Sequence, residues 1–406
     1  MPRHGRVAIL TVALLAVTLA PLCEPHADAT SSTSSARQGT APGLAGTLML
    51  TGRMSSRMSL TMTGAFSLGH ALSLDWSFPL VTAVHIEGYS QRIDSLSFAF
   101  DVPPDSSSDL AVGDHIVRRY HWRAPPANTV IHLLEKLEVS VTTTLSPLRS
   151  DALYPLAEVS TGSFPARYVR LTRMVRLPPA AHSLLVRLIR GRTTEQDVVV
   201  TVANWVATHV HYGGASGLRN ATAAWVFSHG EGTCRGYANL MAGLLRALGI
   251  PVQIVSGWVD GGAIDLPVTN HVREAIQWAT PGSQGELHTW LNIYFPGSGW
   301  VPFDPQREKY FVDPHHIAFL TSLDAGNLHL DAWSAQASSG KRPTGRPLDT
   351  GTISIAPASG VGSRVTVRSQ DDFHLALKTV QRDVSNVLLL SRVVARGAPS
   401  VTQPQR

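Results

Sequence analysis

The chain has 406 residues, of which 44% are hydrophobic and only 16% charged, and carries a formal net charge of +5. That length can bury a large core and should hold two or three domains. Thirty of its 34 basic residues are arginines scattered along the chain, which excludes the clustered basic face that nucleic-acid binding requires.

Residues 1–29 read as an export signal. Arg3 and Arg6 form a basic start, Val7 to Ala20 is an apolar run, and Ala27-Asp-Ala29 is a small-x-small cleavage site. The run is short for a spanning helix, so no integral membrane segment is expected after cleavage, and the mature protein is expected to be secreted or periplasmic. A lipoprotein anchored at Cys23 is the rival reading, disfavoured by the bulky Leu22 just before it. The chain has two cysteines. Cleavage removes Cys23 and leaves Cys234 alone, so no intramolecular disulfide is available. A lone thiol in an exported protein is either buried or used.

Residues 30–44 are a Ser/Thr/Gly-rich tether. From 45 to 165 apolar and polar residues alternate: Leu72, Leu74, Trp76 and Phe78, then Leu96, Phe98, Phe100 and Val102. This pattern predicts an antiparallel β domain of sandwich type. A second unit, 166–334, changes to helical spacing. Thr193 with Gln196 forms a capping box ahead of Val198, Val202, Trp205, Val206 and His209. Asn220, part of a formal glycosylation sequon, is read as the cap of a short helix through Trp225 and Phe227.

The stretch from Glu231 to Pro251 predicts a helix that begins at its cysteine. Tyr237, Leu240, Met241, Leu244, Leu245 and Leu248 recur at three- and four-residue steps, with Thr233 as N-cap and Gly249-Ile-Pro251 as the stop. A thiol in the first turn meets unpaired amides and the positive end of the helix dipole, which favour the nucleophilic thiolate. Val252 to Val259 reads as a buried strand. Residues 260–285 are an irregular insertion, either a solvated loop or a lid.

His288 to Asp304 reads as a hairpin around Pro296-Gly-Ser-Gly299. Leu291, Ile293, Phe295, Val301 and Phe303 share one face; His288, Trp290, Asn292, Tyr294 and Asp304 share the other. If Tyr294 pairs with Trp300, Asp304 is the diagonal neighbour of His288. A thiolate nucleophile needs a base for its proton, and that imidazole needs an acceptor on its far nitrogen. Cys234, His288 and Asp304 supply these roles; Asn292 is the other residue that could orient the histidine. The backbone amide of Cys234 is an oxyanion donor.

Gly232-Thr-Cys-Arg-Gly-Tyr-Ala238, the following Leu-Leu-Arg-Ala-Leu-Gly-Ile-Pro251, His288-Thr-Trp290 and Gly299-Trp-Val-Pro-Phe-Asp-Pro305 resemble the transglutaminase-like superfamily, over roughly residues 190–330. The segment from His316 to Asp324 resembles the stretch after the aspartate in bacterial members. The resemblance implies an α+β fold: a papain-like core, with the cysteine-bearing helix packed on an antiparallel sheet, preceded by a β-sandwich-like domain. It implies Cys234 as nucleophile, His288 as base and Asp304 as orienter. It also implies an upstream tryptophan at the oxyanion, for which Trp205 and Trp225 are the candidates.

The expected function is an exported thiol-dependent acyl-transfer enzyme acting on amide bonds of a protein or peptide: a protease, deamidase or transglutaminase. The alternative is a non-catalytic binding or structural module on the same scaffold. No cofactor is expected. No acidic loop of the calcium type is present, and His209-Val-His211 and His315-His316 lack a third ligand, so no metal is expected. Oligomeric state is not readable. Residues 335–350 read as a linker and 351–406 as a tail of unassigned role, with a strand-like Ser363–Arg368 and an apolar Val384–Val394.

Overall fold

The computed structural model describes residues 47–68, 72–112, 115–145, 150, 152–157, 164–213, 221–259, 286–306, 312, 314–324, 332–336, 345–348 and 353–370. The export signal with Cys23, the tether, Asn220, the 260–285 insertion and Val384–Val394 lie outside the described residues.

In chain order, seven strands come first: β1 (Thr47–Leu68), β2 (Ser73–Pro79), β3 (Val84–Ile86), β4 (Tyr89–Phe100), β5 (Ser106–Val112), β6 (His115–Arg123) and β7 (Thr129–Leu145). Helices α1 (Pro179–Leu188), α2 (Glu195–His209), α3 (Ala223–His229) and α4 (Cys234–Ala247) follow, with the two-residue strands β8 (His211–Tyr212) and β9 (Glu231–Gly232) among them. Then come β10 (Val252–Val259), β11 (Glu286–Phe295), β12 (Gly299–Phe303), β13 (His316–Ser322), β14 (Ala332–Gln336), β15 (Gly345–Leu348) and β16 (Ile353–Gln370).

The fold is α+β, with a sandwich followed by a helix-covered sheet. One sandwich sheet runs β15-β1-β7-β4-β3, with β16 also on β1; the other runs β14-β2-β6-β5. Alternation in β2 buries Leu74, Trp76 and Phe78. They meet Phe66, Leu68, Ile131 and Leu133 from the facing sheet. Leu72, expected on that face, precedes the strand and is 54% exposed.

The second unit is the antiparallel sheet β12-β11-β10-β13. On one face α4 packs against β10 and β11, with α2 and α3 packed on α4, in a core that includes Val252, Ile254, Leu291, Ile293, Phe295, Val301 and Phe303. Its other face packs on the sandwich: Val255, Trp258, Trp290, Ile317 and Phe319 share a core with Met58, Leu60, Leu137, Val139 and Val141. Strands β1 and β7 therefore use a single face twice. Met58 and Leu60 cover the helix-backed sheet while Phe66 and Leu68 cover the sandwich partner, and the odd-numbered residues of β7 divide the same way. Glu135 sits on that face at the seam, 7% exposed.

The 335–350 segment is not only a linker. β14 pairs with β2 from Ala332↔Ser77 to Gln336↔Ser73, and β15 pairs with β1. The tail returns as well: β16, which contains Ser363–Arg368, pairs with β1 from Thr47↔Gln370 to Met62↔Ile353. Short Ser/Gly/Pro-containing runs show no strand periodicity of their own; partners far away in the chain supply the ladder. Two caps also differ from expectation. The N-cap of α2 is Thr194, accepting from the Asp197 N–H at 3.2 Å, one residue later than Thr193. Thr222, not Asn220, caps α3 by accepting from Trp225 N–H. Helix α1, opened by Pro179 and burying only Ala181 and Leu185, has too narrow an apolar stripe to stand out in the sequence.

Candidate active site

The thiol is placed by the turn that precedes it. Gly230 ends α3 in the left-handed conformation at φ 67°. A Cβ there would stand 3.0 Å from the His209 carbonyl oxygen, so a larger residue would be strained and crowded. The chain then runs through β9, held in parallel by β8, to Thr233 at the N-cap, whose side chain makes no capping bond. Cys234 is the first residue of α4, is 5% exposed, and is not in a disulfide.

The helix behind it cannot slide. Tyr237, Leu240, Met241, Leu244 and Leu245 are fully buried, and the Tyr237 hydroxyl donates to the Val210 carbonyl at 2.7 Å. A Cβ at Gly243 would lie 2.3 Å from the Val175 carbonyl oxygen, so the helix approaches that segment at backbone distance. The N-terminal amides and dipole of such a fixed helix favour an anion at its first residue.

The hairpin has the register that brings its polar face together. Tyr294 pairs with Trp300 and Leu291 with Phe303, so the next residue, Asp304, falls beside Trp290. Asp304 and His288 meet with Oδ2 2.7 Å from Nε2, at 0% and 2% exposure. The second carboxyl oxygen accepts from the Gln306 N–H at 2.9 Å. Burial raises the pKa of Asp304, but the charge and hydrogen bond of His288, followed by His316, outweigh it and hold the carboxyl below its ordinary range. An ionised acceptor makes Nε2 the donor, leaving Nδ1 of His288 to handle a second proton. Asn292, the other candidate orienter, donates instead to Gln253 Oε1 at 3.1 Å.

A third buried residue joins the pair. His316 Nε2 is 3.8 Å from the same Asp304 oxygen, and the His316 ring stands edge-on to Trp290 at 5.1 Å and to His288 at 5.7 Å. In the sequence His316 belonged to a histidine pair with no further ligand in sight; only the fold carries it to Asp304. The ligand atoms of His288, Asp304 and His316 lie within 4.8 Å of one another. Their types suit zinc, but two ligands on one zinc ion stand roughly 3.3 Å apart. The 2.7 Å contact of His288 with Asp304 is instead a hydrogen bond, so we assign no metal to the cluster.

The candidate oxyanion tryptophans are held by other rings. Trp205 stacks on His209 at 4.3 Å and packs on Phe227; Trp225 stacks on His229 at 4.2 Å. His209 also bonds the Phe227 carbonyl at 2.9 Å, which gives it a packing role, and His211 is exposed. The Cys234 backbone amide is a further candidate donor, at the start of α4.

Comparison with known proteins bears on the family and the fold. Residues 182–305 match the transglutaminase-like superfamily. The chain is 24% identical over 171 residues to the uncharacterized protein YebA of Bacillus subtilis, covering 41% of this chain and 22% of that protein. It is 33% identical over 93 residues to a protein-glutamine gamma-glutamyltransferase of Pseudomonas aeruginosa, covering 23% and 12%. The match thus spans under a quarter of the length of either relative. A solved structure from Cytophaga hutchinsonii, described as a candidate cysteine protease, superimposes with a TM-score of 0.54 at 13% identity. It covers 79% of this chain and all of that one, a likeness of fold.

Proposed function

Because residues 182–305 form a transglutaminase-like domain, we propose that the protein is a thiol-dependent acyl-transfer enzyme acting on amide bonds of a protein or peptide. Cys234 is the nucleophile, His288 the general base and acid, and Asp304 the orienter. The observation that carries this reading is the fully buried 2.7 Å His288–Asp304 pair on a hairpin packed against the helix that Cys234 opens.

Nδ1 of His288 takes the thiol proton, and the sulfur attacks the amide carbonyl carbon. The oxyanion is met by the Cys234 N–H. The imidazolium then protonates the leaving amine, and a thioester to Cys234 remains. Water as acceptor yields a carboxylic acid; a primary amine yields a new amide. Either acceptor gives its proton to His288, and the thiolate leaves. Asp304 stabilises the imidazolium in both halves without itself taking the proton.

In this reading the protein works outside the cytoplasm, released from its signal at 1–29. No helix among the described residues is long and apolar enough to cross a membrane. The test uses residues 30–406, wild type and Cys234→Ala, with a glutamine-rich protein and a fluorescent primary amine. Amine incorporation identifies a transglutaminase, ammonia release alone a deamidase, and new termini a protease. The absence of any Cys234-dependent signal across a broad substrate panel would favour the non-catalytic scaffold.

A further inference from the structure

We infer that His316 is a positioning residue of this site, and that the N-terminal sandwich holds it there. The β domain is then a working part of the catalytic group rather than a separate module. The inference rests on the roles proposed above for His288 and Asp304.

Asp304 Oδ2 lies between two imidazoles, His288 at 2.7 Å from β11 and His316 at 3.8 Å from β13. Both rings pack on Trp290, so the indole sets their spacing. The carboxylate is bonded on both oxygens, by His288 on Oδ2 and by the Gln306 N–H on Oδ1; His316 adds a second buried imidazole at ion-pair distance from Oδ2, which favours the charged carboxylate in that orientation. His316 thus acts on the reaction through Asp304, not by touching substrate.

The groups that fix His316 come from the other end of the chain. The Tyr89 hydroxyl lies 2.8 Å from the His316 carbonyl oxygen as donor. Gln91 behaves as a one-residue strand: its Oε1 accepts from the Ala318 N–H at 2.8 Å and its Nε2 donates to the Ala318 carbonyl at 2.9 Å. Ahead of them Ser56 donates to the Pro314 carbonyl, and Thr143 to that of Val312 at 3.0 Å. Four side chains of the sandwich therefore grip backbone groups of 312–318. All four are buried, where a made bond resists exchange with water.

The ionisable groups acting on Asp304 are His288 and His316; from the sandwich the neighbours brought to this strand are the Tyr89 hydroxyl, the uncharged Gln91 and, toward the far end of the strand, His115, whose Nε2 lies 2.5 Å from the Thr321 carbonyl oxygen. Both imidazoles favour the carboxylate form against burial. Removing His316 therefore makes Asp304 easier to protonate, and the pH at which the His288–Asp304 bond is lost on acidification moves up.

The experiment tracks the far-downfield proton resonance of the hydrogen-bonded His288 Nε2–H in the full chain as pH is lowered, together with thermal melting. His316→Phe, which keeps a ring without nitrogen, should raise the acid midpoint by about one pH unit. His316→Gln, which keeps a donor near Nε2, should return most of that shift. Tyr89→Phe combined with Gln91→Leu should shift it in the same direction by a smaller amount. An unchanged midpoint in His316→Phe, or equal melting losses in Phe and Gln variants with the midpoint unmoved, would make His316 a packing residue only. An unchanged midpoint in the Tyr89/Gln91 variant alone would remove the sandwich from the site. Failure of the proposed activity would show separately, as wild-type Cys234 unreactive toward iodoacetamide in the folded protein.

Discussion

Trp290 lies directly over Gly257, so that a Cβ at 257 would stand 2.5 Å from Trp290 Cη2 and 1.9 Å from the Ile317 carbonyl oxygen. Gly257 pairs with His288 on one side and Ala318 on the other. The missing side chain is what lets the indole rest on the sheet beneath both site histidines. Gly257→Ala must displace backbone as well as ring, and should destabilise the fold by about 1–3 kcal/mol, the usual cost of overpacking. Thermal denaturation measures the loss, and Cys234 alkylation at neutral pH should slow beyond what the unfolded fraction explains. A variant with wild-type melting and reactivity would mean that the sheet has more room here than its geometry indicates.

Asp304→Asn tests the orienter with little change of shape. An amide can donate where the carboxylate only accepts, which allows the wrong imidazole tautomer. Turnover of any substrate found by the three-readout assay should drop roughly 10³-fold or more, with the folded structure retained by circular dichroism. His288→Ala and the double variant should fall to a similar floor, since residues that act as one unit do not add. Full additivity in that cycle would separate their roles.

Glu135 predicts an alkaline weakness. Burial raises its pKa from 4.5 to about 8. The folded state therefore binds the proton more tightly than the unfolded chain, and stability falls as pH rises from about 4.5 through about 8. Glu135→Gln removes the titration, so its advantage over wild type should grow across that window, by a few kcal/mol at most. Urea unfolding at about pH 5 and about pH 9, on either side of most of that window, measures it. A constant difference between the two proteins at both pH values would place the ionised carboxylate in contact with water.

Truncation before residue 353 should uncover the β1 edge that β16 now pairs over Thr47–Met62. Unpaired strand edges associate, so the shortened chain should melt lower and scatter light at concentrations where the full chain is monodisperse. Wild-type melting and scattering would mean that β1 is secured by β7 and β15 alone.

The features legible in the sequence were mostly local. The cysteine helix is announced by apolar spacing and a Gly-Ile-Pro stop, and the hairpin by a Pro-Gly-Ser-Gly turn between two alternating runs. Because that turn is short, it left few registers, and facing then put His288 beside Asp304. His316 escaped because its approach to Asp304 is made by two intervening strands, one with a register shift between Ser256 and Gly257 that no local pattern announces. β14, β15 and the part of β16 outside Ser363–Arg368 escaped for the same reason, being completed by strands from the opposite end of the chain. The Thr193-Thr194 pair offered two equivalent hydroxyls, and only helix phase separates them. Residue type alone singles out Trp205 and Trp225, while the rings that hold them sit one helical turn further on, as His209 and His229.

The shared face of β1 and β7 bears on how the molecule comes apart. A strand that is half of one core and half of another cannot fray in one without tilting in the other, so heat cannot open the two cores separately. Calorimetry should therefore record a single cooperative transition, its van't Hoff enthalpy equal to the calorimetric one, where a sandwich and an enzyme joined by a linker would give two. Residues 166–334 expressed alone would present Val255, Trp290, Ile317 and Phe319 to water, and should associate rather than work.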